Sequence, residues 1–107
     1  MAKKVVKPRI RKGEAEKYLA KVPEEFVFWV NDGRVLSDLR ELADGLVNMS
    51  DETFAYHCND SKKDFANWVR DIVKDEFLAK ELDKTLTRSQ ASKVVAERVA
   101  SLSARVK

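Results

Sequence analysis

The chain has one histidine and one cysteine, and they are neighbours, His57 and Cys58. A thiol next to an imidazole forms the nucleophile–base pair of many cysteine enzymes. Consecutive helical residues, however, point about 100° apart, so these two side chains do not face each other. No second imidazole is present in the sequence. We therefore predict no catalytic residues, and a protein that is not an enzyme.

The same segment also contains donors of the kind that bind zinc, namely His57, Cys58, Asp60 and Asp64. Their spacing matches no established metal motif, such as C-x-x-C or H-x-x-x-H. Turns and helix caps explain the two aspartates equally well. The prediction is therefore no metal and no cofactor, with these four residues as the weaker alternative.

We favour a structural role for His57. A buried polar side chain needs a partner, so we expect its ring to hydrogen-bond across the following loop to Asp64. Trp68 and Asp71 follow within the next helix. Asp71 also approaches Asp75 and Asp64 on one side of a helix, but no substrate pocket can be inferred around them. We interpret these acids as a solvated face with helix caps.

The charges are distributed unevenly, although the net charge is only +3. Residues 1–12 carry +6, residues 13–83 carry −8 and residues 84–107 carry +5. Clustered lysine and arginine attract polyanions by releasing counterions, without reading base sequence. A solubilising tail explains the basic N-terminus equally well. The candidate polyanion-binding residues are Lys3, Lys4, Lys7, Arg9, Arg11, Lys12, Arg98 and Arg105.

Length and composition favour a single small domain. The 107 residues are 44% hydrophobic and 36% charged, and only three are glycine and two proline, which favours helices. One cysteine excludes an intrachain disulfide and fits a reducing compartment. The longest apolar run, residues 26–30, is far too short to cross a bilayer. We expect a cytoplasmic protein that does not bind a membrane.

Aromatic and β-branched residues precede the turn sequence Asn31-Asp32-Gly33, which predicts a β-hairpin over residues 26–36. Helices fill the rest of the predicted fold. The first helix spans Glu14 to Lys21, and later helices are predicted to begin at Ser37, Ser50, Ser61, Asp75 and Thr87. The predicted fold class is mainly α, with five to six short helices packed with one hairpin. A flexible basic arm (1–12) precedes a single helical domain (13–107).

Apolar residues recur at helical spacing in the last helix, and Val95, Val99 and Leu102 belong to this stripe. The stripe packs either on the domain's own core or on a partner helix, and a small domain needs all of its apolar area. Phe28 and Trp29 of the hairpin are aromatic residues of the kind that anchor protein contacts. These five residues are the candidates for binding a protein partner.

From Phe26 onward, the chain resembles a family of small prokaryotic helical domains of unknown function that is common in archaea. The resemblance lies in several segments taken together: Phe26-Val27-Phe28 with Asp32-Gly33, Ser37 to Leu42, Phe54 to Asn59, Asp64 to Asp71, and Asp75 to Ala79. Members of that family occur alone or appended to larger enzymes, which implies an accessory module. The resemblance implies that His57, Asp64, Trp68 and Asp71 form a structural motif, and it implies no activity.

We therefore expect a non-enzymatic module that binds a protein partner. The alternative is a nucleic-acid- or ribosome-associated protein that contacts phosphate backbones through its basic ends. The sequence does not indicate the identity of the partner or the oligomeric state.

Overall fold

The computed structural model describes residues 10–106. Its fold is mainly α, as predicted, with six α-helices and one antiparallel hairpin in the described range. The helices are α1 (Lys12–Leu19), α2 (Leu39–Asn48), α3 (Asp51–His57), α4 (Asp64–Trp68), α5 (Glu76–Asp83) and α6 (Arg88–Val106). A 3-10 turn (Glu24–Phe26) precedes the hairpin, whose strands are β1 (Phe28–Trp29) and β2 (Val35–Leu36). A π-helix (Val69–Val73) continues α4.

The predicted hairpin is confirmed, with short strands inside the range 26–36. Phe28 pairs with Leu36 and Trp29 pairs with Val35. The turn between the strands places Gly33 at a φ of 95°, a backbone conformation that side chains other than glycine rarely adopt. Gly33 therefore provides the positive φ in the turn that the sequence Asn31-Asp32-Gly33 predicts.

Three of the predicted helix starts are confirmed. Ser50 accepts a hydrogen bond from the Thr53 N–H, Asp75 from that of Leu78, and Thr87 from that of Gln90. Each bond satisfies a backbone donor that has no partner within its own helix.

The other predicted helix starts are wrong. The N-cap of α2 is Asp38, because the neighbouring Ser37 instead donates to the Glu41 carboxylate. Helix α4 begins at Asp64, and its N-cap residue is Lys63, which makes no side-chain cap. In the preceding loop, the Asn59 side chain accepts from the N–H groups of Ser61 and Lys62. Helix α1 begins at Lys12 and ends at Leu19, two residues earlier at each end than predicted.

Helix α6 lies at the centre of the domain, packed against α1, α2 and α5. Val95 and Leu102 are fully buried, and Val99 packs partly buried against the same core. The apolar stripe of α6 is therefore covered by its own domain. The prediction that Val95, Val99 and Leu102 contact a protein partner is wrong, because these side chains supply apolar area that a small core requires.

The predicted basic arm lies only partly within the described residues. Lys3, Lys4, Lys7 and Arg9 fall outside them. Ile10 packs against the core, and Lys12 is the first residue of α1. The predicted boundary between the arm and the domain, after Lys12, therefore falls inside a helix.

A polar cluster fixes the start of α2 against the end of β2. The backbone N–H and the hydroxyl of Ser37 both donate to one Glu41 oxygen at 2.7 Å. The Lys21 ammonium lies 3.0 Å from the other Glu41 oxygen and 3.3 Å from Asp38. These interactions lower the pKa of Glu41 from 4.5 to about 2. The two hydrogen bonds from Ser37 make the largest contributions.

The lowered pKa of Glu41 makes part of the stability depend on pH. The folded state favours the ionised carboxylate, so its contribution is complete above about pH 4.5 and is lost as the pH falls toward about 2. Because the side chain is 41% exposed, we expect no more than about 1 kcal/mol. Urea denaturation across this pH range should show a smaller decrease for Glu41→Gln than for the parent. The matched control, Glu16→Gln, replaces an exposed glutamate of α1 and should follow the parent; an equal decrease in both variants would contradict the assignment.

Candidate interaction surface

His57 lies at the end of α3 and joins two separate parts of the chain. Its Nδ1 is 3.0 Å from Asp64 Oδ2, and its Nε2 is 2.9 Å from the backbone nitrogen of Asn31. Because the Asn31 N–H is a donor, Nε2 must be the acceptor, so the ring proton lies on Nδ1 and points to the carboxylate. The predicted hydrogen bond from His57 to Asp64 is confirmed, and the bond to the hairpin turn is additional.

An imidazole oriented by a carboxylate is also found in catalytic sites. Here the nitrogen that would act as a base already accepts from Asn31. Burial raises the pKa of the neighbouring Cys58 thiol, which favours the less nucleophilic protonated form. The geometry therefore makes His57 a structural link between the hairpin and α4.

The structure does not bring the four residues of the metal alternative together as a set of ligands. Both ring nitrogens of His57 are occupied, and Asp60 is exposed on the loop. Within residues 10–106, no three histidine, cysteine or acidic side chains lie close enough together to hold a metal ion.

Aromatic side chains anchor the inner face of the hairpin. The Phe28 ring stacks on Phe65 at a centroid distance of 4.9 Å and meets Trp68 edge-on at 5.9 Å. The Trp68 indole N–H donates to the Phe26 carbonyl at 2.8 Å, so the tryptophan of the predicted motif also holds the segment before β1. Phe28 is therefore an anchor of the hairpin, and the prediction that it contacts a partner is wrong because its ring packs inward.

Asp71 does not belong to this structural cluster. Its side chain is exposed and contacts Arg70 at 3.2 Å on the same helical segment. Of the predicted motif, the structure brings together His57, Asp64 and Trp68. Asp71 lies within the π-helix, whose angular spacing per residue differs from that of an α-helix.

The outer face of the hairpin consists of Trp29 and its cross-strand partner Val35. Side chains alternate between the two faces of a strand, so anchoring Phe28 and Leu36 inward turns this pair outward. Trp29 is 70% exposed and Val35 is 40% exposed. We call this pair the hairpin face, and it is the part of the predicted partner-binding set that remains accessible.

Acidic side chains flank the hairpin face. Glu24 and Glu25 lie in the 3-10 turn that leads into β1, and Asp32 lies in the connecting turn; all three are exposed. The nearby Arg34 lies 3.6 Å from Asp32, which offsets one of these charges. Residues 24–35, which lead into the hairpin and form its turn, therefore carry a net negative charge.

Arg98 was predicted to bind polyanions, but the structure buries its side chain. Its guanidinium binds both oxygens of Asp75, at 2.8 and 2.9 Å, and only 8% of its side chain is exposed. A side chain buried and paired in this way does not form part of an exposed basic surface that a phosphate backbone could contact. Arg11, Lys12 and Arg105 are exposed.

The sequence contains a signal for this burial that the prediction missed. Arg98 lies three residues after Val95 and four before Leu102, which places it on the buried stripe of α6. Its partner, Asp75, was predicted as a helix cap on a solvated acidic face; the cap is confirmed, but the solvated position is wrong because the side chain is buried. A buried arginine requires a bidentate acidic partner, so the two observations together point to the pair.

Comparison with protein-family models, curated proteins and solved structures found no match for this chain. The resemblance described above therefore stays a prediction. Among the described helices, none combines the length and apolar composition that crossing a membrane requires.

The burial of the Asp75–Arg98 pair predicts a large effect on stability. Asp75→Asn leaves the arginine charge buried without a counterion, so we expect a loss of about 3–5 kcal/mol in the free energy of unfolding. The matched control is Asp51→Asn, which breaks the 2.8 Å contact of an 81% exposed aspartate with Arg88. That variant should lose about 1 kcal/mol or less. Urea denaturation measures both, and similar losses would contradict the structural importance of the buried pair.

Proposed function

We propose that this protein is a non-enzymatic accessory module that binds a protein partner through the hairpin face. The observation that carries the proposal is the 70% exposure of Trp29 next to Val35. Tryptophan is among the residues that most often contribute strongly to protein–protein affinity when an interface covers them. The single cysteine supports placing the module in a reducing compartment such as the cytoplasm.

The packing of the inner face of the hairpin against the domain favours a role in binding a protein partner. Phe28, His57 and Trp68 hold the inner face through ring contacts and hydrogen bonds. A binding surface that is ordered before binding loses less conformational entropy when a partner docks. The hairpin face therefore has the rigidity expected of a preformed docking site.

The charges around the face favour a particular kind of partner. Glu24 and Glu25 shortly precede the strand of Trp29, and Asp32 lies in the turn that follows it; all three are exposed. A partner surface with an apolar pocket for the indole and basic residues around it would complement both features.

Crosslinking from the hairpin face tests the proposal. A photo-crosslinking amino acid at position 29 should form a discrete adduct with one protein in the source cell, whereas the same group at Leu86, which is also exposed, should not. Against the partner so identified, Trp29→Ala should weaken binding by at least about tenfold, corresponding to the loss of an aromatic anchor. Leu86→Ala is the matched control. Equal crosslinking at both positions, or unchanged affinity of Trp29→Ala, would contradict the proposal.

The alternative is a nucleic-acid- or ribosome-associated protein. Three of the predicted cations, Arg11, Lys12 and Arg105, are exposed, which is the observation that favours it. Binding of this kind would be non-specific in sequence and would weaken steeply with salt.

Fluorescence anisotropy with labelled duplex DNA and RNA tests this alternative. It predicts binding at low salt, and a deletion of residues 1–9 should weaken that binding and flatten its salt dependence, because phosphate contacts are removed. Lys93→Gln, which removes one exposed cation of α6 outside the predicted set, should change affinity little. Absence of binding at low salt, or unchanged affinity after the deletion, would contradict the alternative.

A further inference from the structure

A cleft of about 360 Å³ lies on the side of the domain formed by α1, the end of the π-helix, the start of α5, and α6. Apolar side chains of Ile10 and Phe77 form part of its wall, and Tyr18 of α1 adds an aromatic ring. The buried Asp75–Arg98 pair also lines it. Clefts that combine apolar walls with a few fixed polar groups are the usual sites for small ligands.

The backbone beside the cleft is unusual. The π-helix ends at Val73, and Lys74 follows with a φ of 74°, the only non-glycine residue with positive φ among residues 10–106. π-Helical segments and left-handed non-glycine residues both occur often at functional sites. Here they direct the chain so that Lys74 and Asp75 both line the cleft.

The carboxylate of Asp75 has little remaining capacity to accept hydrogen bonds. Oδ1 accepts from the Leu78 N–H at 3.1 Å and from Arg98 Nη2 at 2.9 Å, and Oδ2 accepts from Arg98 Nε at 2.8 Å. The guanidinium of Arg98 lies over the Phe77 ring, 4.7 Å from its centroid. Its third nitrogen, Nη1, has no hydrogen-bond partner among residues 10–106, and it is not among the fully buried atoms.

Other donors line the same cleft. Glu76 and Phe77 are the first two residues of α5, and the backbone N–H groups at these helix positions have no partner inside the helix. Within the described chain, the Lys74 ammonium forms no ion pair. Burial raises the pKa of Tyr18, with a further contribution from Glu14, so its hydroxyl remains a donor.

Besides the Asp75 carboxylate, which Arg98 neutralises, two further carboxylates and one further cation line the cleft and limit the charge that it can accept. Glu14 and Glu76 are exposed lining residues and would repel a dianion. Arg70 also lines the cleft, but its guanidinium is held by Asn67 and Asp71. A singly charged anion therefore suits the lining better than a phosphate dianion does.

We propose that this cleft binds a small carboxylic acid with an apolar body. The carboxylate accepts hydrogen bonds from Arg98 Nη1 and from the N–H groups at the start of α5, close to the Lys74 ammonium. The apolar body lies against Ile10 and Phe77. This inference is independent of the hairpin face, which belongs to a different part of the fold.

Titration with phenylacetate, followed by ¹H–¹⁵N NMR of the full chain, tests the proposal. The amide signals of Glu76 and Phe77 should shift and saturate, and the neutral isostere phenylacetamide should shift them much less. Lys74→Asn removes the charge with a residue that tolerates positive φ, and should weaken binding by about tenfold. Lys93→Gln is the control for loss of an exposed lysine elsewhere, and Glu76→Gln should strengthen binding because it removes repulsion.

The proposal is overturned if phenylacetate causes no saturable shift at the start of α5. It is equally overturned if phenylacetamide binds as well as phenylacetate, because the carboxylate would then have no role. Equal weakening by Lys74→Asn and Lys93→Gln would show that only overall charge matters, and would also overturn it.

Discussion

The orientation of the hairpin depends on a neutral imidazole that bonds on both sides. A two-stranded hairpin is only marginally stable in water and requires other elements to pack against. His57 supplies a connection from α3 to the turn at Asn31 and, through its other nitrogen, to Asp64 at the start of α4. If the ring proton were on Nε2, that N–H and the Asn31 N–H would be two donors facing each other. Both hydrogen bonds of His57 therefore require the tautomer with its proton on Nδ1.

The exposure of the hairpin face follows from this arrangement. The ring of Phe28 lies against His57, Phe65 and Trp68, which fixes the inner face of the strands. Because successive residues point to opposite faces, Trp29 must then point outward. Trp29 is exposed because the ring contacts of Phe28 hold the inner face of the hairpin against the domain. These contacts explain how a large apolar side chain is kept at the surface.

Features encoded by neighbouring residues were predictable from the sequence. The Asn31-Asp32-Gly33 turn, the helix caps at Ser50 and Asp75, and the hydrogen bond of His57 to Asp64 all depend on short spacings. Competition between adjacent capping residues was less predictable. Ser37 and Asp38 are both good caps, and the choice depended on the Glu41 carboxylate, which binds Ser37.

Interactions between distant residues were missed for a different reason. The Asp75–Arg98 pair joins positions 23 residues apart, and local spacing carries no information about which elements meet. The spacing of Arg98 places it on the buried stripe of α6, but that spacing does not identify Asp75 as the residue that meets it. The π-helix was also not predicted, and within it the exposed Asp71 side chain pairs with Arg70.

The protonation of His57 is the most direct test of this account. The chain has one histidine, so long-range ¹H–¹⁵N NMR at neutral pH reports on its ring without ambiguity. We predict a protonated Nδ1 and an unprotonated Nε2 that accepts from the Asn31 amide. A ring protonated on Nε2 alone, or one that exchanges freely between tautomers, would contradict the claim that His57 holds the hairpin and thereby presents Trp29.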